Sequence, residues 1–228
     1  MIGILGAMDI ELEALLRDMQ GETSEAVSGF VFHRGRLYGR EAVVAKCGIG
    51  KVAAGICAQT MILRYAPSLL VHTGVAGTLT DALSVTDVAI GERAVQHDMD
   101  TSSLGDPIGL ISGINKIYFE ADGRAAALFE SIAREDGIRA LRGTVASGDQ
   151  FISDGEAKKR IVKNFGAIAC EMEGGAVAHA AYLNETPFII LRAISDSADG
   201  ASHMDYPTFL PLAAAQSYRM MKKFIERY

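Results

Sequence analysis

The stretch "ACEMEGGAVAHA", Ala169–Ala180, holds the reading of the fold. The apolar run from Ala167 to Cys170 ends in Glu171, Met172 and Glu173, and two glycines then open a helical pattern. A buried strand that ends in acids and passes at once into a helix is the repeating unit of an α/β sheet.

The same alternation extends both ways along the chain. "IGILGA" (2–7), "LLVHTGVAG" (69–77), "VTDVAIGERAVQHD" (85–98), "IRALRGTVASGD" (138–149), "AIACEM" (167–172) and "PFIILRAISD" (187–196) read as strands, the second closing in a glycine turn. "FVFHRGRLYG" (30–39) and "EAVVAKCG" (41–48) read as a hairpin. Helical spacing of apolar residues marks 8–19, "KVAAGICAQTMILRYA" (51–66, closed by Pro67), 123–136, 156–165, 174–184 and a terminal helix from Phe209. The expected fold is therefore one α/β domain over 1–228, with a mixed, mostly parallel sheet and helices on both faces.

Composition narrows the function. The chain has 228 residues, 49% apolar and 22% charged, with a net charge of −6. That balance disfavours a nucleic-acid backbone as partner, since phosphate binding wants a basic face. No apolar run approaches the ~20 residues of a membrane span, and "MIGILGAMDIE" lacks the basic start of a signal peptide. Cys47, Cys57 and Cys170 are odd in number, fit no zinc spacing and sit in apolar runs, so they read as buried reduced thiols of a cytoplasmic protein. The five histidines show no metal spacing, His33 and His179 reading as structural, and no metal or cofactor is expected.

In open α/β sheets ligands bind beyond the carboxyl ends of strands. Three glycine-rich turns fall there, "CGIGK", "HTGVAGT" and "VASGDQF", and none matches a P-loop or dinucleotide fingerprint. Glu11, in the first turn of the first helix, is compatible with simple compensation of the helix dipole, as are Asp9 and Glu13. Glu171 and Glu173 are harder to explain as caps, because two capping acids one residue apart are redundant. Asp196, at the mouth of an apolar strand, reads either as a turn cap or as an acid whose pKa desolvation raises; Asp199 reads as a turn residue. There is no GxSxG and no cysteine–histidine nucleophile pair. Carboxylates, glycines and apolar side chains point to acid–base chemistry on a largely apolar ligand.

"GILGAMDIE", "CGIGKVAA", "HTGVAGTL", "VASGDQFI", "CEMEGGAVAH" and "LRAISDSAD" occur here in that order. The ordered set resembles the 5′-methylthioadenosine/S-adenosylhomocysteine nucleosidases of the nucleoside phosphorylase superfamily, over nearly the whole chain. The resemblance implies hydrolysis of an N-glycosidic bond to adenine and a 5-thioribose. It implies Glu11 as the base that activates water and Asp196 as the acid that protonates adenine N7, with Ser195 beside it. Glu173 would hold the ribose hydroxyls and Met172 would underlie the sugar, leaving Glu171 a supporting role. Phe151 would stack on adenine, and the backbone of Ile152 would read its edge. Met8, Ile49 and Tyr206 would line the sugar and alkylthio region, with Val75, Ala76 and Gly77 also at the ligand. The family's dimers imply a homodimer in which the "HDMDTSSLG" segment brings Leu104 to the neighbouring pocket.

Three alternatives remain open at this level. One is phosphorolysis, for which "CGIGK" offers Lys51 but the N-terminal loop offers no arginine before Arg17. Another is a nucleosidase preferring 5′-deoxyadenosine or aminodeoxyfutalosine. The third is a non-catalytic nucleoside-binding protein, which would not need Glu11 and Asp196 together.

Overall fold

A computed structural model describes residues 1–196 and 202–228, with side chains of the last segment described from residue 207. In chain order the elements are β1 (Ile2–Gly6), α1 (Asp9–Asp18), β2 (Gln20–Val27), β3 (Phe30–Leu37), β4 (Arg40–Lys46), α2 (Lys51–Tyr65) and β5 (Leu69–Thr78). There follow β6 (Val88–Gln96), a single 3-10 turn at Ser102–Leu104, β7 (Tyr118–Glu120), α3 (Gly123–Glu135), β8 (Ala140–Ser147) and α4 (Gly155–Phe165). The chain ends through β9 (Ala167–Glu171), α5 (Gly174–Leu183), β10 (Phe188–Asp196) and α6 (Ser202–Arg227).

Local chemistry sets several of these boundaries. Asp122 and Asp154 cap α3 and α4 by accepting from the amides of Ala125 (2.7 Å) and Ala157 (2.8 Å). Gly166, at φ 59°, ends α4 in the left-handed conformation that glycine adopts without strain.

All strands belong to one mixed sheet. Parallel pairs (β1–β4, β1–β5, β5–β10, β6–β8, β8–β9) are matched in number by antiparallel ones (β2–β3, β3–β4, β5–β9, β6–β7, β6–β10). The sheet is thus less parallel than the alternation of strands and helices suggests. Because β10 pairs with both β5 and β6, and β9 with both β8 and β5, the strands β5, β10, β6, β8 and β9 close into a ring. β1 and β4, and then the β3–β2 hairpin, extend the sheet outward from β5.

The two-residue period of the strands divides the core. Ile2, Ile4, Leu69 and Val71 face α1, α3 and α6, packing with Leu12, Phe129 and Phe224. Leu5, Val43 and Leu70 face the other way, against Cys57 and Met61 of α2 and Val177 of α5. The three cysteines are free and buried.

Two expectations change. "HTGVAG" is not a turn: β5 runs through Gly74 and Gly77 to Thr78, buried at all ten positions. Its glycines serve close approach by other side chains, not a change of direction. β2 was not legible, because "QGETSEAV" is almost wholly exposed and carries no apolar alternation; it is held by its pairing with β3.

Candidate active site

The ends of β1, β5, β9 and β10 converge on a small cleft with a cavity volume of about 80 Å³. Met8, Glu11, Ile49, Val75, Ala76, Gly77, Phe151, Met172, Glu173, Ser195 and Asp196 all line it, with Ala7, Cys170 and Glu171. These come from strand ends, the start of α1 and adjoining loops that are distant in sequence, so the topology assembles the cleft.

Glu11 is the third residue of the helix that Met8 caps. Its Oε2 accepts from the amides of Ala7 (2.8 Å) and Met8 (2.9 Å), a capping-box role at the helix start where the sequence suggests only dipole compensation. Its Oε1 does something that role does not require: it crosses to β5 and accepts from the Val75 amide at 3.0 Å. The carboxylate is 3% exposed, and burial raises its pKa against the opposing pull of Arg192 and the three amides. Gly74 leaves the room, since a Cβ there would overlap Glu11 Oε1 and the Arg192 guanidinium.

Asp196 sits at the other end of the same stretch of β5. A bulge between Ile194 and Asp196 sets it opposite Gly77, with Oδ2 2.7 Å from where a Gly77 side chain would begin. Ser195 Oγ donates to its Oδ1 at 3.0 Å, and the Ala76 carbonyl lies 3.4 Å from the same hydroxyl. Asp196 is 2% exposed. The two carboxylates are therefore anchored two residues apart on β5, roughly 7 Å along the strand.

Glu173 follows β9 and is 4% exposed. Its Oε1 accepts from the Gly50 amide at 2.9 Å, which ties "CGIGK" to the site. Gly50 turns at φ 95°, a conformation that favours glycine. Burial, with the nearby charge of Glu171, pushes the Glu173 pKa up to about 7.

Glu171 has a different task. It accepts from Ser147 Oγ, from the Gly174 amide (2.8 Å to Oε2) and from Arg192 Nη2. Arg192, fully buried, also donates to His72 Nδ1 at 2.7 Å and lies 3.8 Å from Glu173 Oε2. The carboxylates of Glu171, Glu173 and Glu11 keep it charged against burial. His72, Glu171 and Glu173 have the donor types of a metal site and lie close enough for one. However, Arg192 Nη2 binds both His72 and Glu171, so a fixed cation already occupies that position.

The "SGDQF" loop is pinned by charge. Asp149 accepts from the Lys51 amide (2.7 Å), Asp98 accepts from the Asp149 amide (2.9 Å), and Lys51 Nζ bonds Asp98 at 2.5 Å. Phe151, 45% exposed, extends from this loop to the cleft. The Ile152 side chain is not in the cleft; it packs with Val95 and Ile161 in a small separate cluster. Leu104 is 82% exposed on the short turn and does not line this cleft. The Tyr206 side chain and Asp199 lie outside the described residues.

His33 pairs with Glu22 (2.6 Å), and His179 stacks on Phe119 with centroids 5.1 Å apart, both structural as expected. Sequence reasoning missed Arg192 and His72. The signal for the first was present: one cation inside the apolar run "FIILRAI". A charge there needs buried partners, and Glu171 is the principal one.

Residues 1–226 match the family model described as "Phosphorylase superfamily". A 5′-methylthioadenosine/S-adenosylhomocysteine nucleosidase of Shewanella baltica is 34% identical over 99% of this chain and 96% of its own length. Among solved structures, the nucleosidase of that name from Neisseria meningitidis, in complex with methylthio-immucillin-A, superposes with a TM-score of 0.95 at 34% identity, covering 100% of this chain and 99% of that one. A futalosine hydrolase of Helicobacter pylori superposes with a TM-score of 0.93 at 35% identity, covering 100% and 97%. The ordered motifs, the sheet and the cleft thus have one explanation in descent: the chain belongs to the phosphorylase superfamily, within its family of 5′-methylthioadenosine/S-adenosylhomocysteine nucleosidases.

Proposed function

We propose that this protein hydrolyses the N-glycosidic bond of 5′-methylthioadenosine and S-adenosylhomocysteine, releasing adenine and the 5-thioribose product. The observation that carries the reading is the placement of Glu11 and Asp196 at two points of one buried strand, both lining one cleft. Water held by Glu11 attacks C1′ as the C1′–N9 bond breaks. The water's proton passes to Glu11, the bonding pair leaves with adenine, and Asp196 supplies a proton at N7. The sugar becomes oxocarbenium-like on the way, and the carboxylates near it favour that positive charge.

Glu173 accepts from the ribose hydroxyls, Met172 and Met8 provide apolar contact with the sugar, and Phe151 stacks on the base. The Ile152 backbone reads the adenine edge. Ile49, Val75 and, in the segment outside the described side chains, Tyr206 complete the alkylthio end. Ser195 orients Asp196, its hydroxyl donating at 3.0 Å. Arg192 adds a fixed positive charge beside the two glutamates that meet water and ribose.

Charge favours hydrolysis over phosphorolysis. A phosphate entering this cleft would meet Glu11, Glu171 and Glu173, with Arg192 already committed to Glu171. Lys51 is engaged by Asp98 and lies 3.9 Å from Asp149. The deciding assay is adenine release from methylthioadenosine in phosphate-free buffer. Free thioribose is expected; a requirement for phosphate with formation of the sugar 1-phosphate would make the protein a phosphorylase, and adenine binding without turnover would make it a binding protein.

The likeness to a futalosine hydrolase supports a wider range of 5′ groups on the same chemistry, 5′-deoxyadenosine and aminodeoxyfutalosine among them. A turnover panel over the four nucleosides ranks them.

The working unit proposed is a cytoplasmic homodimer. Leu104 is 82% exposed and does not touch its own cleft, as a residue lent to a neighbour would be. Val52, Ile56 and Leu63 on α2 and Leu183 on α5 are exposed apolar residues on helices that pack together, two of them, Val52 and Ile56, just beyond the Gly50 turn. Among the described residues no helix is long and apolar enough to cross a membrane.

A further inference from the structure

We propose that His72 is a positioning residue for the reaction: as a neutral hydrogen-bond acceptor it aims Arg192 at Glu11 without cancelling the arginine's charge. The proposal rests on the hydrolytic reading above and adds a residue that the motifs do not assign.

Register explains how the two meet. Arg192 of β10 lies opposite Gly74 of β5, and His72 precedes Gly74 by two, so all three share one face of the sheet. With no side chain at Gly74, the guanidinium reaches into the space over that position. Its Nη1 and Glu11 Oε1 then flank the space a Gly74 Cβ would take, 2.4 and 2.3 Å from it, so the arginine acts on Glu11 by its field rather than through a direct ion pair. The other amine, Nη2, has two hydrogens. One goes to Glu171 Oε2 and the other to His72 Nδ1, the nearer ring nitrogen at 2.7 Å against 3.2 Å for Nε2. Two acceptors on one amine set the rotation of the planar group, and with it the direction of Nη1.

The choice of a histidine for the second acceptor has a charge consequence. His72 is fully buried, and burial together with Arg192 holds its pKa well below the ordinary value. It is therefore neutral, with the proton on Nε2 and a lone pair on Nδ1. A carboxylate there would satisfy the same hydrogen but would neutralise Arg192 further. With Glu171 as the close ionic partner, the arginine retains field at Glu11, whose pKa it pulls downward, and at Glu173. The groups facing this cluster are Glu11 from α1, Glu171 and Glu173 from the β9 end, and the Cys47 thiol after β4, which burial keeps protonated.

The test compares His72→Gln, which keeps an acceptor, with His72→Leu, which removes it. In His72→Leu, kcat for methylthioadenosine should fall by about tenfold or more, with KM within about threefold of the parent. The acid limb of its pH–rate profile should move up by about half a unit or more, because Glu11 loses part of its opposing cation. His72→Gln should recover most of both. Equal losses in the two variants, or an unshifted acid limb in His72→Leu, would overturn the proposal in favour of packing alone.

If the leucine variant does not fold, nitrogen NMR of histidine-labelled wild-type protein decides. A pyridine-type Nδ1 and a pyrrole-type Nε2, unchanged between about pH 5 and about pH 9, are expected. An imidazolium, or the opposite tautomer, would sink it. That measurement needs no turnover, so failure of the hydrolytic reading and failure of the His72 role remain distinct.

Discussion

Gly74 leaves a space that Glu11 and Arg192 border from two sides: a methyl group there would overlap both the carboxylate and the guanidinium. Neither neighbour can move freely. Glu11 is held by three backbone amides, and Arg192 by Glu171 and His72. Gly74→Ala should therefore displace the base more than it unfolds the protein, and kcat should fall by about 10²-fold, the usual effect of an ångström-scale misplacement. Steady-state kinetics beside a melting curve checks this; a variant with a third of wild-type activity would show that the cluster yields.

Glu11→Gln separates capping from catalysis. An amide oxygen can still accept the Ala7, Met8 or Val75 hydrogen bonds, so α1 should persist. Removing the base should lower kcat by about 10² to 10⁴ while adenine still binds. Retention of more than about a tenth of the activity would return Glu11 to helix-dipole compensation alone.

Asp196→Asn keeps a side chain of similar size beside Ser195 and Gly77 but cannot deliver a proton. Hydrolysis of methylthioadenosine should drop by about 10²-fold or more. A nitrophenyl thioriboside, whose leaving group needs no protonation, should be much less affected. Equal losses on both substrates would count against the acid role.

Glu173 gives the protein a pH dependence with a definite sign. Its pKa is about 7 when folded, against an ordinary value of 4.5. The folded chain therefore binds this proton more tightly. Its contribution to stability is full below 4.5 and is lost as pH rises through 7. Glu173→Gln should flatten the slope of Tm against pH across that window. Ribose hydroxyls favour the ionised form, so affinity for the nucleoside should weaken as pH falls below 7, by at most about tenfold per unit. An affinity that rises on acidification through this range would contradict the assignment.

Leu104 and the α2 face can be tested apart. Leu104→Ala should raise KM by about tenfold while the sedimentation coefficient stays that of a dimer. The double variant Val52→Asp with Ile56→Asp should sediment as a monomer and lose activity. A fully active monomer would refute the shared pocket.

The chain by itself determined the elements and most of the cleft. Apolar runs of strand length, helical periodicities and glycine-rich joints are local properties, so β1, β5, β9, β10 and their helices were legible. Glu171, Glu173 and Asp196 stand out in the sequence because charged residues at the ends of buried strands need a reason, whereas Glu11 does not, since helix-dipole compensation accounts for it as well as for Asp9 and Glu13. Tertiary structure alone decided the rest. The closure of β5, β10, β6, β8 and β9 into a ring depends on which edges pair, and edge pairing leaves no periodic trace in sequence. β2 shows the same limit, since a solvated strand held by backbone hydrogen bonds needs no apolar pattern. Glu171 could not be told from Glu173 by spacing, because what separates them is the partner each meets: Arg192 for one, the Gly50 amide for the other. His72 and Arg192 are 120 residues apart, and only register across β5 and β10 brings a neutral ring and a buried cation to one face.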